Sequence, residues 1–332
     1  VDTEGQVVNN QDGHVTVLLE EAVAALNPHR GGVFVDGTFG GGGHSTRLLE
    51  QTGGAITLIA IDADPAAIAR ARELASSRPG EDIRPVHANF RDLARVAGEL
   101  APQGVDGILL DLGLSSFQLD QAERGFAFRF NGPLDMRFDP TRGPSAADLV
   151  NSLEVDDLAN ILWKYGDEKQ SRRIARSIVE TRKTGPIETT TALAGLIEKT
   201  LGGRRGKAIH PATRSFQALR IAVNDELVAL ERVLADALDV LKPGGRLVII
   251  SFHSLEDRMV KQFMARESAT CICPPDQPVC TCDHVPRLRR IGKPVRPGTT
   301  EMTLNPRSRS AIMRIAERLP DPDSRTKMES AS

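Results

Sequence analysis

Gly31-Gly32-Val33-Phe34-Val35-Asp36-Gly37-Thr38-Phe39-Gly40-Gly41-Gly42-Gly43-His44-Ser45-Thr46-Arg47-Leu48-Leu49 reads as a strand, a glycine loop and the opening of a helix. Val33-Phe34-Val35 is a short apolar run between glycines, the pattern of a buried parallel strand. The glycines that follow free the backbone to turn sharply and to approach a ligand. Ser45 is placed to cap a helix beginning Ser45-Thr46-Arg47-Leu48-Leu49-Glu50. Free N–H groups where loop and helix meet suit an anionic group. A glycine-rich turn with no ligand is the alternative.

Ile56-Thr57-Leu58-Ile59-Ala60-Ile61 reads as a second strand and runs into Asp62. Nucleotide-binding α/β folds place an acid about twenty residues beyond such glycines, for ribose hydroxyls. The loop does not carry G-x-G-x-x-G, and no G-x-x-x-x-G-K-[ST] occurs. Gly202-Gly203-Arg204-Arg205-Gly206-Lys207-Ala208 is one residue short of the latter and ends in Ala. A nucleoside ligand other than NAD or ATP is indicated.

The composition, 40% hydrophobic and 26% charged over 332 residues, is that of an ordinary globular chain with length for two domains. A net charge of −2 says nothing of nucleic acid, but the distribution does. Residues 1–65 hold nine acids against two Arg; 169–220 hold twelve Lys/Arg against three acids, and 285–318 nine against two. Two basic regions on a neutral chain point to a localised phosphate-binding face, solvated charged faces being the plainer alternative. No run of eighteen apolar residues and no basic-then-apolar start occurs, so a cytoplasmic location and no membrane partner are expected. All four cysteines fall within 271–282, unlike a disulfide framework spread over a secreted fold.

Strands at 33–35, 56–61, 83–90 and 105–110 alternate with helices near Ser45, at 66–75 behind Pro65, and at 93–100, after a short helix within 14–26. That alternation predicts an α/β fold with a doubly wound, Rossmann-like sheet whose ligands lie beyond the strands' C-terminal ends. The glycine loop, Asp62, Phe90 and Asp111 fall there. From Leu112 to about Thr213 the strand pattern stops, and helices are expected at 149–165, 168–184 and 189–201. The predicted organisation is a sheet domain of residues 1–119 and 213–332, interrupted by a mainly helical substrate-recognition domain of 120–212. One long helix is expected from Pro211 through Leu238. Pro243 and Gly244 should then turn the chain into a fifth strand at 247–250, with two short strands around Pro294-Val295 and at 311–315.

Leu241-Lys242-Pro243-Gly244-Gly245-Arg246-Leu247, between a helix and the fifth strand, resembles the class I S-adenosylmethionine-dependent methyltransferases. Longer motifs narrow the resemblance. They are Asp36 to Ser45, Asp111-Leu-Gly-Leu-Ser-Ser-Phe-Gln-Leu-Asp120, Gly132-Pro-Leu-Asp-Met-Arg137, the run from His210 to Glu226, Ser251-Phe-His-Ser-Leu-Glu-Asp-Arg258 and Asn305-Pro-Arg-Ser-Arg-Ser310. Over roughly His14 to Arg318 the chain resembles the RsmH/MraW family, the bacterial small-subunit ribosomal RNA (cytosine-N4)-methyltransferases. The resemblance implies methyl transfer from S-adenosyl-L-methionine to the exocyclic N4 of a decoding-site cytidine of 16S rRNA, position 1402 in customary rRNA numbering. It implies the small (30S) ribosomal subunit as partner, and a homodimer is the candidate self-association. Carried over residue by residue, it implies cofactor contacts from Gly42, Gly43, His44, Asp62, Phe90, Asp111 and Gln118. Phe117 stands where many relatives have Pro.

Methyl transfer from a sulfonium is an in-line displacement, so the protein mainly positions donor and acceptor. Cytosine N4 is a poor nucleophile, its lone pair delocalised into the ring, and needs an acceptor for an N4 hydrogen as charge builds. Other amino-methyltransferases supply one from an Asp/Asn-Pro-Pro-aromatic motif after strand four, where this chain has Asp111-Leu112-Gly113-Leu114. Asp111 is the first catalytic candidate, with service to the cofactor alone as the alternative; Asn224 and His253 are next, with a structural role the alternative for each. A base in structured RNA must be exposed before attack. Arg137, Arg204, Arg205, Lys207 and Arg214 are candidate RNA contacts, and Lys/Arg of 169–220 and 287–314 are placed to hold phosphates.

Cys271-Ile272-Cys273 and Cys280-Thr281-Cys282, with His284 beyond, supply enough soft ligands for zinc, although C-x-C is less usual than C-x-x-C. A loop of free thiols is the alternative and the favoured reading. Two other functions compete with methyl transfer. An NAD-dependent dehydrogenase would share the sheet and Asp62 but lacks G-x-G-x-x-G. A non-catalytic ribosome-binding factor would require a damaged cofactor loop, and this loop is intact.

Overall fold

Along each central strand the apolar side chains alternate between two buried layers, which requires helices on both faces. A computed structural model describes residues 16–204, 206, 209–277 and 279–321; Arg205 and Lys207 lie outside the described residues. The strands are β1 (Val33–Asp36), β2 (Thr57–Asp62), β3 (Asp82–His87), β4 (Val105–Asp111), β5 (Leu241–Ser251), β6 (Leu288–Arg290) and β7 (Ile312–Arg318). They form one sheet in the order β3-β2-β1-β4-β5-β7-β6, parallel from β3 to β5 and antiparallel at β7.

Val35, Ile59, Ile61, Ile108, Leu110, Leu247 and Ile249 enter one core with Leu93, Val96, Leu234 and Val260 of the helices covering that face. Their strand neighbours Phe34, Leu58, Leu109, Val248 and Ile250 enter a second core with Val23, Leu48, Leu49 and Met313. The chain leaves β1 toward β2 and returns to β4 on its other side, so a crevice opens at the C-terminal ends of β1 and β4. This is the doubly wound, Rossmann-like sheet expected from the alternation of strands and helices.

The chain divides into two compact units. The sheet unit holds residues up to Gly113 and from Leu230 onward; the helical unit is Leu114–Ala229. In the latter, Ser145 caps the helix Ala146–Ser152 in a capping box with Asp148, and Thr189 caps Thr190–Thr200. Leu158 and Leu162, Ile174 and Ile178, and Leu193 and Ile197 recur at helical spacing and meet in one core. No helix among the described residues is long and apolar enough to cross a membrane.

Four local expectations are corrected. The helix expected over 149–165 is two, Ala146–Ser152 and Val155–Gly166. Arg182 donates to the carbonyls of Val150 and Leu153 at 2.9 and 2.7 Å, stabilising the break with a contact that periodicity does not record. The long helix from Pro211 is also two, Thr213–Asn224 and Glu226–Val240, separated at Asp225, whose φ of 51° is left-handed. Phe216, Ala218 and Leu219 of the first half lie in the helical unit's core, so that helix packs with the helical unit, not with the sheet domain expected to begin at 213. Pro243 and Gly244 do not precede β5 but form a bulge in it: Val105 pairs with Leu241 and Gly107 with Arg246. Asp106, inside the bulge, accepts from Lys242 Nζ at 2.8 Å and from the Val33 N–H at 2.7 Å. Finally, Val295 makes only an isolated bridge to Met313, flanked by prolines that lack an N–H, and Leu288–Arg290 is the strand that pairs with β7 instead.

Candidate active site

Three strand ends carry acids. Asp36 closes β1, Asp62 closes β2 and Asp111 closes β4. Asp36 Oδ1 accepts from the Thr38 N–H at 3.1 Å and Oδ2 from the Ser45 hydroxyl at 2.7 Å, tying the strand to both sides of the glycine loop. Asp62 does the same from the next strand, accepting from the Gly40 N–H and from the Asp64 N–H, both at 2.8 Å. Each Asp62 oxygen keeps a second lone pair for a further donor. Thr38 Oγ1 accepts from the Asp111 N–H at 2.6 Å, joining the loop to β4.

The loop needs its glycines. Gly40 and Gly42 have φ of 52° and 77°, and a Cβ on Gly42 would lie 2.5 Å from the Phe39 ring. The helix Gly43–Thr52 starts at Gly42, which has no side chain to cap it, an arrangement of first-turn N–H groups that suits an anion. His44 is buried, with Nε2 3.0 Å from the Val17 carbonyl; that carbonyl only accepts, so Nε2 carries the proton. His44 Nδ1 is 3.9 Å from Asp111 Oδ2. Phe90 follows β3 and packs partly buried against the sheet core, its Cβ beside Gly37.

Burial dominates the acids' protonation. It raises Asp36 to about 6 against the opposing hydrogen bonds of Ser45 and Thr38. Burial also raises Asp62 to about 6, opposed by the N–H groups of Asp64 and Gly40. Asp111 is pushed well above the ordinary carboxylate range by burial and then by the charges of Asp36 and Glu256. Asp111 Oδ1 and Ser251 Oγ, at the ends of adjacent strands, are buried without a hydrogen-bond partner among the described residues. Orphaned polar atoms of this kind mark a place for a polar ligand.

The linkage follows from these values. Asp36 folded, at about 6, holds its proton to higher pH than an unfolded Asp at about 3.9. The contribution of Asp36 to the stability of the ligand-free chain is therefore full below about pH 4 and is lost as pH rises through about 6. Asp36→Asn raises Tm at about pH 8, by a stability gain on the order of 3 kcal/mol, and leaves it nearly unchanged at about pH 4. Scanning calorimetry at both pH values checks this; equal shifts at both would overturn it.

His253 caps the helix Ser254–Glu267: its Nδ1 accepts from the Glu256 N–H at 3.4 Å, and its Nε2 lies 3.1 Å from Glu256 Oε1. Glu256 Oε2 accepts from the N–H groups of Phe252 and His253 at 2.9 and 3.2 Å. The structure thus brings Gly42, Gly43, His44, Asp62, Phe90, Asp111 and His253 together in the sheet unit. Sequence reading had given no role to Asp36, Thr38 or Glu256; an acid closing an apolar strand before the glycines was the available signal for the first.

Gln118, Arg137, Arg204, Arg214 and Asn224 belong to the helical unit. Gln118 is buried in a capping box with Ser115. Asn224 Oδ1 accepts from the Phe138 N–H at 2.7 Å, while Nδ2 donates to the Met136 and Arg220 carbonyls at 2.7 and 2.9 Å, so this candidate braces the Met136–Phe138 backbone. Arg137 is held by Asp135 at 2.9 and 2.6 Å, Arg214 donates to the Asp167 carbonyl at 3.2 Å, and Arg204 is exposed. Part of the C-terminal basic region is internally neutralised: Arg287, Arg289 and Arg314 meet Asp239, Glu317 and Asp257. Arg290, Lys293, Arg296 and Arg309 remain exposed.

Comparison with known proteins bears directly on this constellation. The profile of the MraW methylase family matches residues 11–319. The chain is 57% identical over 307 residues to the ribosomal RNA small subunit methyltransferase H of Thermomicrobium roseum, covering 92% of this chain and 94% of that protein. The proteins of the same description from Dehalococcoides mccartyi and Geobacter sulfurreducens are 51% identical over 310 residues and 52% identical over 308. Those alignments cover 93% and 92% of this chain, and 87% and 99% of the relatives. Similarity of this extent takes in the strand-end acids, the glycine loop and the helical unit alike, and the chain belongs to the MraW methylase family.

Proposed function

We propose that this chain transfers a methyl group from S-adenosyl-L-methionine to the exocyclic N4 of a decoding-site cytidine of 16S rRNA in the small ribosomal subunit. The observation that carries the reading is the intact site at the β1–β4 crevice of a family member. There Gly40 and Gly42 hold left-handed backbone conformations that favour glycine, and two buried polar atoms lack partners among the described residues. These features fit the cofactor. When bound, S-adenosyl-L-methionine supplies an electrophilic methyl on a positively charged sulfur.

The first turn of the helix Gly43–Thr52 would hold the carboxylate of the methionine moiety. Asp62, its two oxygens aimed by the Gly40 and Asp64 N–H groups, would accept from ribose hydroxyls. Phe90 would pack beside the adenine. Asp111 Oδ1 would accept an N4 hydrogen of cytosine, raising the electron density on nitrogen as the bond forms. The Leu114–Ala229 unit would bind RNA, for which Arg172, Arg173 and Arg176 stand exposed on one helix.

The test uses small subunits from cells lacking the modification, incubated with the protein and labelled S-adenosylmethionine. Mass spectrometry of the digested RNA should find N4-methylcytidine at one site. Measurable cofactor binding with no label in the RNA would overturn the substrate assignment.

A further inference from the structure

The segment between the helix Ser254–Glu267 and β6 spans about twenty residues without helix or strand among those described. It is longer than the roughly 12–15 residues that compact domains usually leave unstructured. Its apolar side chains do not order it either: Ile272, Val279 and Val285 are 41%, 69% and 43% exposed. Some other interaction must offset the entropy of fixing such a chain.

Four cysteine sulfurs gather there. Cys271 and Cys280 Sγ are 3.4 Å apart, Cys280 and Cys282 3.6 Å, Cys271 and Cys282 3.8 Å, and Cys273 and Cys280 4.0 Å. All four lie within 4.8 Å of one another, and none is in a disulfide. Tetrahedral zinc with Zn–S bonds of about 2.3 Å sets its sulfurs about 3.8 Å apart. The backbone is arranged for anionic sulfur as well: the Ile272 N–H points at Cys282 Sγ (3.4 Å), the Cys273 N–H at Cys271 Sγ (3.4 Å) and the Thr281 N–H at Cys273 Sγ (3.5 Å).

We propose that Cys271, Cys273, Cys280 and Cys282 bind one zinc ion as a structural site. Four thiolates complete the tetrahedron and leave no open position for a substrate. Each Zn–S bond replaces an S–H, whose proton leaves to solvent. The helix Ser254–Glu267 begins at the C-terminal end of β5 and its fourteen residues run about 20 Å, and β6 starts opposite Arg318 near the other end of the sheet. The zinc therefore lies away from the strand-end acids and orders the approach to Arg289 and Arg290 rather than taking part in methyl transfer.

The full chain, purified without chelator, should carry about one zinc per molecule by elemental analysis. Cys280→Ser should reduce this at least about tenfold while S-adenosylmethionine affinity by calorimetry stays unchanged. Should that variant fail to fold, the unaltered chain decides: its four thiols should react with a thiol reagent only after a chelator is added, and cobalt in place of zinc should give the visible bands of tetrahedral thiolate coordination. Four fast-reacting thiols, two disulfides, or iron in place of zinc would each overturn the proposal.

Discussion

Asp111→Asn lowers the turnover number for methyl transfer by roughly 10²–10⁴ and leaves S-adenosylmethionine affinity within a few-fold. The substitution keeps the shape of a buried side chain and the backbone N–H that Thr38 accepts, so the loop stays anchored. What it removes is the anionic acceptor at Oδ1, an atom without a hydrogen-bond partner among the described residues. Its pH profile should change in form as well. The wild-type turnover rises with pH as the carboxyl, raised by burial and by Asp36 and Glu256, loses its proton; the variant lacks that limb. Single-turnover rates against pH, with cofactor affinity measured separately, separate the outcomes. A loss found wholly in cofactor affinity would assign Asp111 to the donor and leave N4 activation to another group.

Asp62→Ala weakens S-adenosylmethionine binding by about a hundredfold or more. Hydrogen bonds to a charged acceptor contribute about 1.5–3 kcal/mol each, and the ribose offers two hydroxyls. The change has a second effect that an exposed acid would lack: the N–H groups of Gly40 and Asp64 both lose their acceptor, so the loop and the following turn loosen together. Asp62→Asn keeps one acceptor oxygen and should fall between wild type and Ala. Calorimetric titration of the three proteins checks the order; equal affinities would remove Asp62 from the cofactor site.

The sheet was legible because its strands are buried on both faces. Val33-Phe34-Val35, Leu58 to Ile61 and Leu247 to Ile250 are continuous apolar runs, and Asp36 and Asp62 mark the ends of the first two. Helix ends were less legible where a distant residue decides them. Nothing near Leu153 announces that Arg182 will take its carbonyl, and Asn224-Asp225, residue types that tolerate the left-handed region, is only a weak signal of a break between two helix-forming stretches. The candidate site divides along the same line. Asp62 and Asp111 follow from strand position, whereas the bracing roles of His253 and Asn224 depend on hydrogen bonds to Glu256 and to the Met136–Phe138 backbone. For the cysteines, the sequence gives the donors but not the convergence of C-x-C pairs, which only the path of 268–287 supplies.

The clamp between Asp106 and Lys242 joins residues 136 positions apart. During synthesis β4 therefore emerges with one edge facing nothing, and its pairing partner β5 follows only after the whole helical unit has been made. At about 5–20 residues per second that edge stays open for on the order of ten seconds. The helical unit, with a core of its own, has that interval in which to collapse. The sheet closes last, and the nascent chain is most exposed to aggregation and to chaperones just before Leu247-Val248-Ile249-Ile250 leaves the ribosome.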